Sequence, residues 1–428
     1  MAGKTTLTGD FKKLWLALSV SLMGSEITVL ALPLIAALTL EVSAFEMGLL
    51  AAVGQLPFLL CSLPAGVLID RLPRRPVLIT TDIGSALLLL TVPLSIPFGG
   101  PVYLQLCAVA FGIGTFSVIS EVAHYAYVPT LVGREHLTAS NSRLQVSHSA
   151  SAAAGPGLGG ILVQLLSAPL TFLIDAVSFL TSAVLLRSIR SPEPPPDTAN
   201  PSPSLRHSLL IGLRTLFSHR LLRPIILEGA TAVFFESGLL AIYVLYATRE
   251  LGLSPLTIGL VFAAGGLGAI PGALLARWAG NRYGIGPAII GGWFLAGLAG
   301  LLVPLAGGPL PLIIATLATG KALGALTDTV ANIHQWSLRQ AVTPDHLAGR
   351  VTASQRFIVY GTGAIGALTA GALGSTIGLR PTLLLCALGC LAAPLIALLS
   401  PLRHLHKQPT TAPTTMDTAV DTVTNTTP

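Results

Sequence analysis

The chain has 428 residues, 52% of them apolar and only 10% charged, with a net charge of +6 and a mean hydropathy of +0.76. A soluble globular chain carries roughly 25% charged residues, so water-soluble enzymes are excluded and an all-α integral membrane protein is implied. The basic residues fall in short loops with few aromatics beside them, so the charge does not point to nucleic acid.

Gly3-Lys4-Thr5-Thr6 lacks the upstream glycine and strand of a phosphate-binding loop. Lys12 and Lys13 then precede an apolar run, as in a signal peptide, but the run is long and many others follow. It reads as a first transmembrane helix that is kept. A helix needs about 20 apolar residues to cross the hydrocarbon core, and the chain offers twelve such runs. In the first half they cover 14–38, 46–69, 76–97, 101–125, 141–166 and 169–187. In the second they cover 222–247, 255–279, 287–306, 309–335, 350–376 and 379–400. The four cysteines, Cys61, Cys107, Cys386 and Cys390, all lie inside these runs and read as small buried side chains. No disulfide framework or metal cluster is expected.

The organisation expected is a six-helix bundle over 1–187, a linker over 188–221, a second six-helix bundle over 222–400 and a disordered tail over 401–428. SPEPPPDTANPSPS is a proline-rich linker. RHSLLIGLRTLFSHR puts Leu209, Leu210, Leu213, Leu216 and Phe217 on one face and Arg206, Arg214 and Arg220 elsewhere. That is an amphipathic helix suited to the membrane surface. The halves also repeat. At an offset of 211, Gly48, Gly54, Asp70, Arg71 and Pro76 align with Gly259, Gly265, Asn281, Arg282 and Pro287. At 210, Glu26 meets Glu236 and His124 meets His334. Two parallel, pseudo-symmetric bundles with an axis along the membrane normal follow. With both termini in the cytoplasm, all of the 24 Lys and Arg except Arg249, Arg380 and Lys321 lie inside or at inner helix ends. Basic loops resist translocation, so this orientation in the plasma (inner) membrane is expected.

Between spans 2 and 3 the chain reads PAGVLIDRLPRRP. Gly66, Asp70, Arg71, Arg74 and Arg75 in this spacing resemble the loop between helices 2 and 3 of major facilitator superfamily transporters. A glycine usually precedes the last two basic residues in that family; Pro73 stands there in this chain. The resemblance implies a gate. Asp70 would face the start of span 11 near Gly349, Arg350 and Val351, where free N–H groups favour an anion, and Arg74 would reach Glu121. Asn281 and Arg282 form the second-half counterpart, with Asn281 replacing the aspartate, so the gate should be asymmetric. Gly155-Pro156-x-x-Gly159-Gly160 in span 5 resembles the antiporter motif of exporters in the superfamily. Its proline would bend the helix and its glycines allow close approach, either to seal the cavity or as ordinary glycine packing. FLIDAVSFL, which holds Asp175, resembles a segment of the enterobactin-exporter and macrolide-efflux branch.

Charge within hydrocarbon costs roughly 2.5–3.5 kcal/mol per residue, so the charges inside spans need a reason. Glu26 and Glu236 lie mid-span in spans 1 and 7; Lys321 and Asp328 lie on one face of span 10. The resemblance implies that spans 1, 4, 7 and 10 line the central cavity. Glu26 and Glu236 are the candidate titrating carboxylates, and Lys321 is expected to pair with one of them, as a switch or as a static lock. Asp175 serves helix packing or substrate binding; Asp82 and Glu228 read as structural, and His124 and His334 as interfacial side chains. The arginine that many proton antiporters carry in helix 4 is missing: Ala108, Val109 and Ala110 occupy its place.

The reading is therefore a monomeric secondary transporter, driven by the proton gradient with no bound cofactor or metal, that exports small amphipathic molecules such as drugs, siderophores or secreted metabolites. Its partners are the substrate and the bilayer. The alternatives are a proton-coupled uptake symporter and, more remotely, a membrane receptor or membrane enzyme, for which no HExxH or nucleophile cluster is present.

Overall fold

The computed structural model describes residues 9–95, 102–132, 136–193, 205–344 and 347–407, apart from the side chains of a few of them, Asp70 included. The proline-rich piece 194–204 and the tail 408–428 lie outside the described residues. Twelve helices are long and apolar enough to span a membrane. The first-half spans are α1 (Gly9–Leu34, extended by a π turn over Ile35–Thr39), α2 (Ala44–Asp70), α3 (Arg74–Ser95), α4 (Val102–Val132), α5 (Leu137–Leu166) and α6 (Ala168–Arg187). After the shorter α7 (Leu205–Ser218) come α8 (Leu222–Arg249), α9 (Pro255–Tyr283), α10 with α11 (Ile285–Gly300, Leu302–Leu305), α12 (Leu310–Val342), α13 (Ala348–Ile377) and α14 (Leu379–Leu398). This is a multi-pass membrane protein. The spans are even in number, so Gly9 and Lys407 lie on one face, the termini-bearing face; the other is the distal face.

Local chemistry sets several helix ends. Ser43 and Glu46 form a capping box at the start of α2, with Ser43 N donating to Glu46 Oε2 at 2.7 Å. Ser254 Oγ accepts from Thr257 N at the start of α9. α4 and α12 run about two turns beyond the expected spans towards the termini-bearing face; in α4 the added turns stay apolar and pack into the core of their half through Tyr127, Val128 and Leu131.

The two halves pack alike. α1 lies on α5 and α6, as α8 lies on α13 and α14; α4 takes α2 and α3, as α12 takes α9 and α10; α3 meets α6 as α10 meets α14. Between halves, α2 packs on α13 and, in the equivalent place, α9 packs on α5. The apolar core is divided unevenly along the membrane normal. At the distal end one cluster joins both halves, with Leu30, Leu34, Met47 and Phe172 beside Tyr243, Tyr246, Leu317 and Leu383. Towards the termini-bearing face each half has its own: Phe11, Leu14, Ile69, Leu78 and Tyr127 in the first, Ile225, Ile289, Leu338 and Leu402 in the second.

Two expectations change. α7 is not simply a surface helix, because it docks on α13: Leu216 is 1% exposed, Gly212 lies against Arg350 and Ser354, and Ser354 Oγ donates to Leu209 O at 3.1 Å. Leu210 and Phe217 remain exposed, so the apolar stripe is shared between protein and surroundings. The tail is ordered at its start. Pro401–His404 forms a 3-10 turn with Leu402 buried, and Leu405 O accepts from Gly286 N at 2.8 Å. The buried Leu402 and the bond from the first turn of α10 to Leu405 O anchor this start of the tail, which precedes the threonine-rich stretch.

Candidate functional site

At the termini-bearing face the loop before α3 is tied to its own half. Glu193 accepts from the backbone N–H groups of Arg74 (2.5 Å) and Arg75 (3.2 Å), and the Arg74 guanidinium lies 3.7 Å from it. A carboxylate at free N–H groups of a helix start is the favoured arrangement. Arg75 also donates to the carbonyls of Leu186 and Arg187. The expected Arg74–Glu121 contact is therefore absent. Glu121 instead pairs with Arg356 of α13 at 2.7 Å, and among the described residues this is the ion pair that joins the halves. Beside it Arg339 donates to Gln355, and Phe58 stacks on Tyr360 at 4.5 Å. Arg71, Asn281 and Arg282 are exposed, and a side chain added at Gly66 would meet open space. The call that places Asp70 against α13 rests on a side chain outside the described set.

At the distal face the halves meet backbone to backbone. Gly160 of α5 lies on Gly259 of α9, and Gly48 of α2 on Gly371 of α13. The offset of 211 relates Gly48 to Gly259 and Gly160 to Gly371, so these are two copies of one contact. A Cβ on any of the four would come within 2.7–2.9 Å of its partner's Cα, which only glycine tolerates. Arg249 adds a bond to Val42 O at 2.9 Å across the same face. Of the other antiporter-like residues, Gly155 lies directly against the Glu26 side chain, Gly159 against Ile27, and the Pro156 carbonyl faces Gly259.

The ionisable residues divide by half. On the second-half side, Glu236 is exposed although it sits mid-way along α8. Lys321 and Glu236 are electrostatic neighbours, and Asp328 is a neighbour of Glu236. Among the described residues no carboxylate pairs with Lys321 within 4.0 Å. Its ammonium lies over the rings of Phe262 (4.5 Å to the centroid) and Tyr243 (5.1 Å), which meet edge to face. The expected Lys321–carboxylate pair is thus replaced by a cation–π cage, worth about 2 kcal/mol when desolvated. In the first half Glu26 is half-buried, with His148 of α5 as its titratable neighbour, and does not meet Lys321. Asp175 is buried in α6, accepting from Thr28 (2.5 Å) and Ser178 (2.9 Å); this is packing between α1 and α6. Cavities of 320 and 310 Å³ lie against α1–α6 and on α6, and neither includes Glu26, Glu236 or Lys321. Among the described residues no group of three or more metal-ligating side chains occurs.

Sequence reasoning missed Arg356, Glu193, Phe262 and Tyr243. Arg356 carried a signal, since it is a charge eight residues inside α13, where a partner is required.

Twelve spans in two like-packed halves, a glycine-sealed distal face and charges gathered at mid-span define a secondary transporter. The family model of the Major Facilitator Superfamily matches residues 14–367. The chain is 30% identical over 392 residues to the multidrug efflux pump Tap of Mycolicibacterium fortuitum, covering 88% of this chain and 92% of that protein. It is 26% identical over 374 residues to the enterobactin exporter EntS of Salmonella typhi, covering 85% and 86%. A crystal structure of a bacterial homologue of the iron transporter ferroportin, in its inward-facing state, superposes with a TM-score of 0.73 at 17% identity over 91% of this chain and 98% of that one. The chain belongs to the major facilitator superfamily and is a transporter, not an enzyme.

Proposed function

We propose that this transporter exports small amphipathic molecules across the plasma membrane in exchange for protons, by alternating access, with both termini in the cytoplasm. The observation that carries the reading is the uneven core: among the described residues the halves share two apolar clusters, the larger at the distal end and a smaller one around Ala52, Ala241 and Ala364, and keep separate ones towards the termini-bearing face. On this reading a chamber between the bundles is sealed at the distal face by the paired glycines, and nearer the termini-bearing face the halves are held by the Glu121–Arg356 pair, which must part for the chamber to open there. Export is supported by the full-length similarity to proteins named as efflux pumps, and the orientation by the crowding of Lys and Arg onto the termini-bearing side. Glu26 and Glu236 are the candidate proton carriers, since a carboxylate in a low-dielectric chamber can hold a proton in one state and release it in the other. One proton moving down about 150 mV supplies roughly 3.5 kcal/mol, enough for a gradient of a few hundredfold.

The test is accumulation in everted vesicles across a library of amphipathic compounds, with and without an uncoupler. Uncoupler-sensitive uptake of at least one compound is expected. Accumulation that survives the uncoupler would remove the proton from the mechanism.

A further inference from the structure

We propose that α8 and α12 carry protons between Glu236 and the termini-bearing face, with Asp328 and Glu228 as the intermediate carriers. The proposal rests on the proton-driven reading above and names the route that reading leaves open.

A row of polar residues runs along one face of α12, and two carboxylates of α8 stand near it. On α12, Lys321, Asp328 and Gln335 are seven residues apart, two turns or about 10 Å each. On α8, Glu236 and Glu228 are eight apart, about 12 Å. The two helices meet at Glu228, whose Oε2 accepts from Gln335 Nε2 at 2.9 Å, and Asp328 is an electrostatic neighbour of both Glu236 and Glu228. Asp328 accepts from Asn332 at 3.0 Å. The helices themselves barely touch, which leaves room between them.

Glu228 is 1% exposed, and its Oε1 is buried with no hydrogen-bond partner among the described residues. Most buried carboxylate oxygens are hydrogen-bonded, and an oxygen left without a partner is open to take a proton. The sequence also marks the route as one-sided. Offset by 210, the positions matching Glu228, Asp328 and Gln335 are Leu18, Val118 and Tyr125. Lys321 of α12 acts electrostatically on Glu236, Glu236 acts on Asp328 of α12 and Cys390 of α14, and Asp328 acts on Glu228.

The steps balance as proton transfers alone. The O–H bond of protonated Glu236 breaks as one forms on the Asp328 carboxylate, and Glu236 is left ionised beside Lys321. Water entering the gap between α8 and α12 takes the proton from Asp328 to Glu228 and, once the halves part on that side and uncover Glu228, from Glu228 to the termini-bearing face.

The test uses the full chain in proteoliposomes with ethidium as the probe. Two rates are read: ethidium movement driven by a pH gradient, and ethidium exchange at equal pH. Glu228→Gln and Asp328→Asn should each slow the first about tenfold or more and leave the second near wild type. Glu228→Asp, which keeps a proton carrier, should recover gradient-driven transport, and it stands in if Glu228→Gln does not fold. Gradient-driven rates equal to wild type in both amide variants, or both rates falling together, would overturn the route. A wild-type protein indifferent to the gradient overturns the proton-driven reading itself and is seen without any variant.

Discussion

Arg356 of α13 donates to Glu121 of α4 at 2.7 Å, and both side chains are about one-third exposed (32% each). A pair so placed is screened by solvent and contributes about 1 kcal/mol or less. That suits a contact which must break and re-form in every cycle. Glu121→Gln should shift the resting balance between the two access states about fivefold, read as a change in spin-label distances across the termini-bearing face. The swap Glu121→Arg with Arg356→Glu should restore it. Unchanged distances in the single variant would make the pair incidental.

The glycine contacts predict a larger effect. A side chain at Gly160 or Gly371 cannot fit while the distal face is closed. Gly160→Val and Gly371→Val should each reduce turnover by about tenfold or more, since overpacking costs about 1–3 kcal/mol. Both should make distal cysteine labels more accessible. Gly66→Ala, which meets open space, should transport normally. The two valine variants should behave alike because they disturb equivalent contacts.

Much of the fold could be read along the chain. Crossing hydrocarbon takes a long apolar run, and all twelve were visible that way; the repeat of Gly48 with Gly259 and of Glu26 with Glu236 also lies in plain sequence. What remained hidden depends on which side chains meet across large separations. Glu121 finds Arg356, 235 positions away, rather than Arg74. Lys321 finds two rings instead of a carboxylate because only the packing of α8, α9 and α12 decides what lies above its ammonium. α7 was legible as amphipathic, but that Gly212 lets it dock on α13 depends on the packing against Arg350 and Ser354, far along the chain.

Ser167 offers a test of stability. It joins α5 to α6 with φ +80° and ψ 153°, close to the φ +93° and ψ 163° of Gly378, its counterpart at an offset of 211. A non-glycine residue in that region carries about 1–3 kcal/mol of strain, while glycine brings back about 0.5–1 kcal/mol of chain entropy. Ser167→Gly should therefore stabilise the protein by roughly 1 kcal/mol, seen as a higher melting temperature in detergent. A lower one would show that the serine is not strained.

His219, between α7 and α8 and outside the spans, gives a pH dependence. Its Nδ1 accepts from the N–H groups of Leu221 (3.2 Å) and Leu222 (3.3 Å), which requires the neutral ring, and burial lowers its pKa from the ordinary value. The folded state binds this proton more weakly than the unfolded chain. The contribution is thus whole above the unfolded value of about 6.5 and is lost as pH falls below it towards the folded value. Thermal unfolding across this window should flatten in His219→Ala. An identical slope in the variant would clear His219 of the effect.

Substrate and proton fluxes measured together, in proteoliposomes holding a pH-sensitive dye, test the central claim most directly. Wild-type protein should move ethidium one way and protons the other; Glu26→Gln and Glu236→Gln should lose the proton movement. Protons and ethidium moving in the same direction, or coupling that survives in both variants, would contradict exchange through these carboxylates.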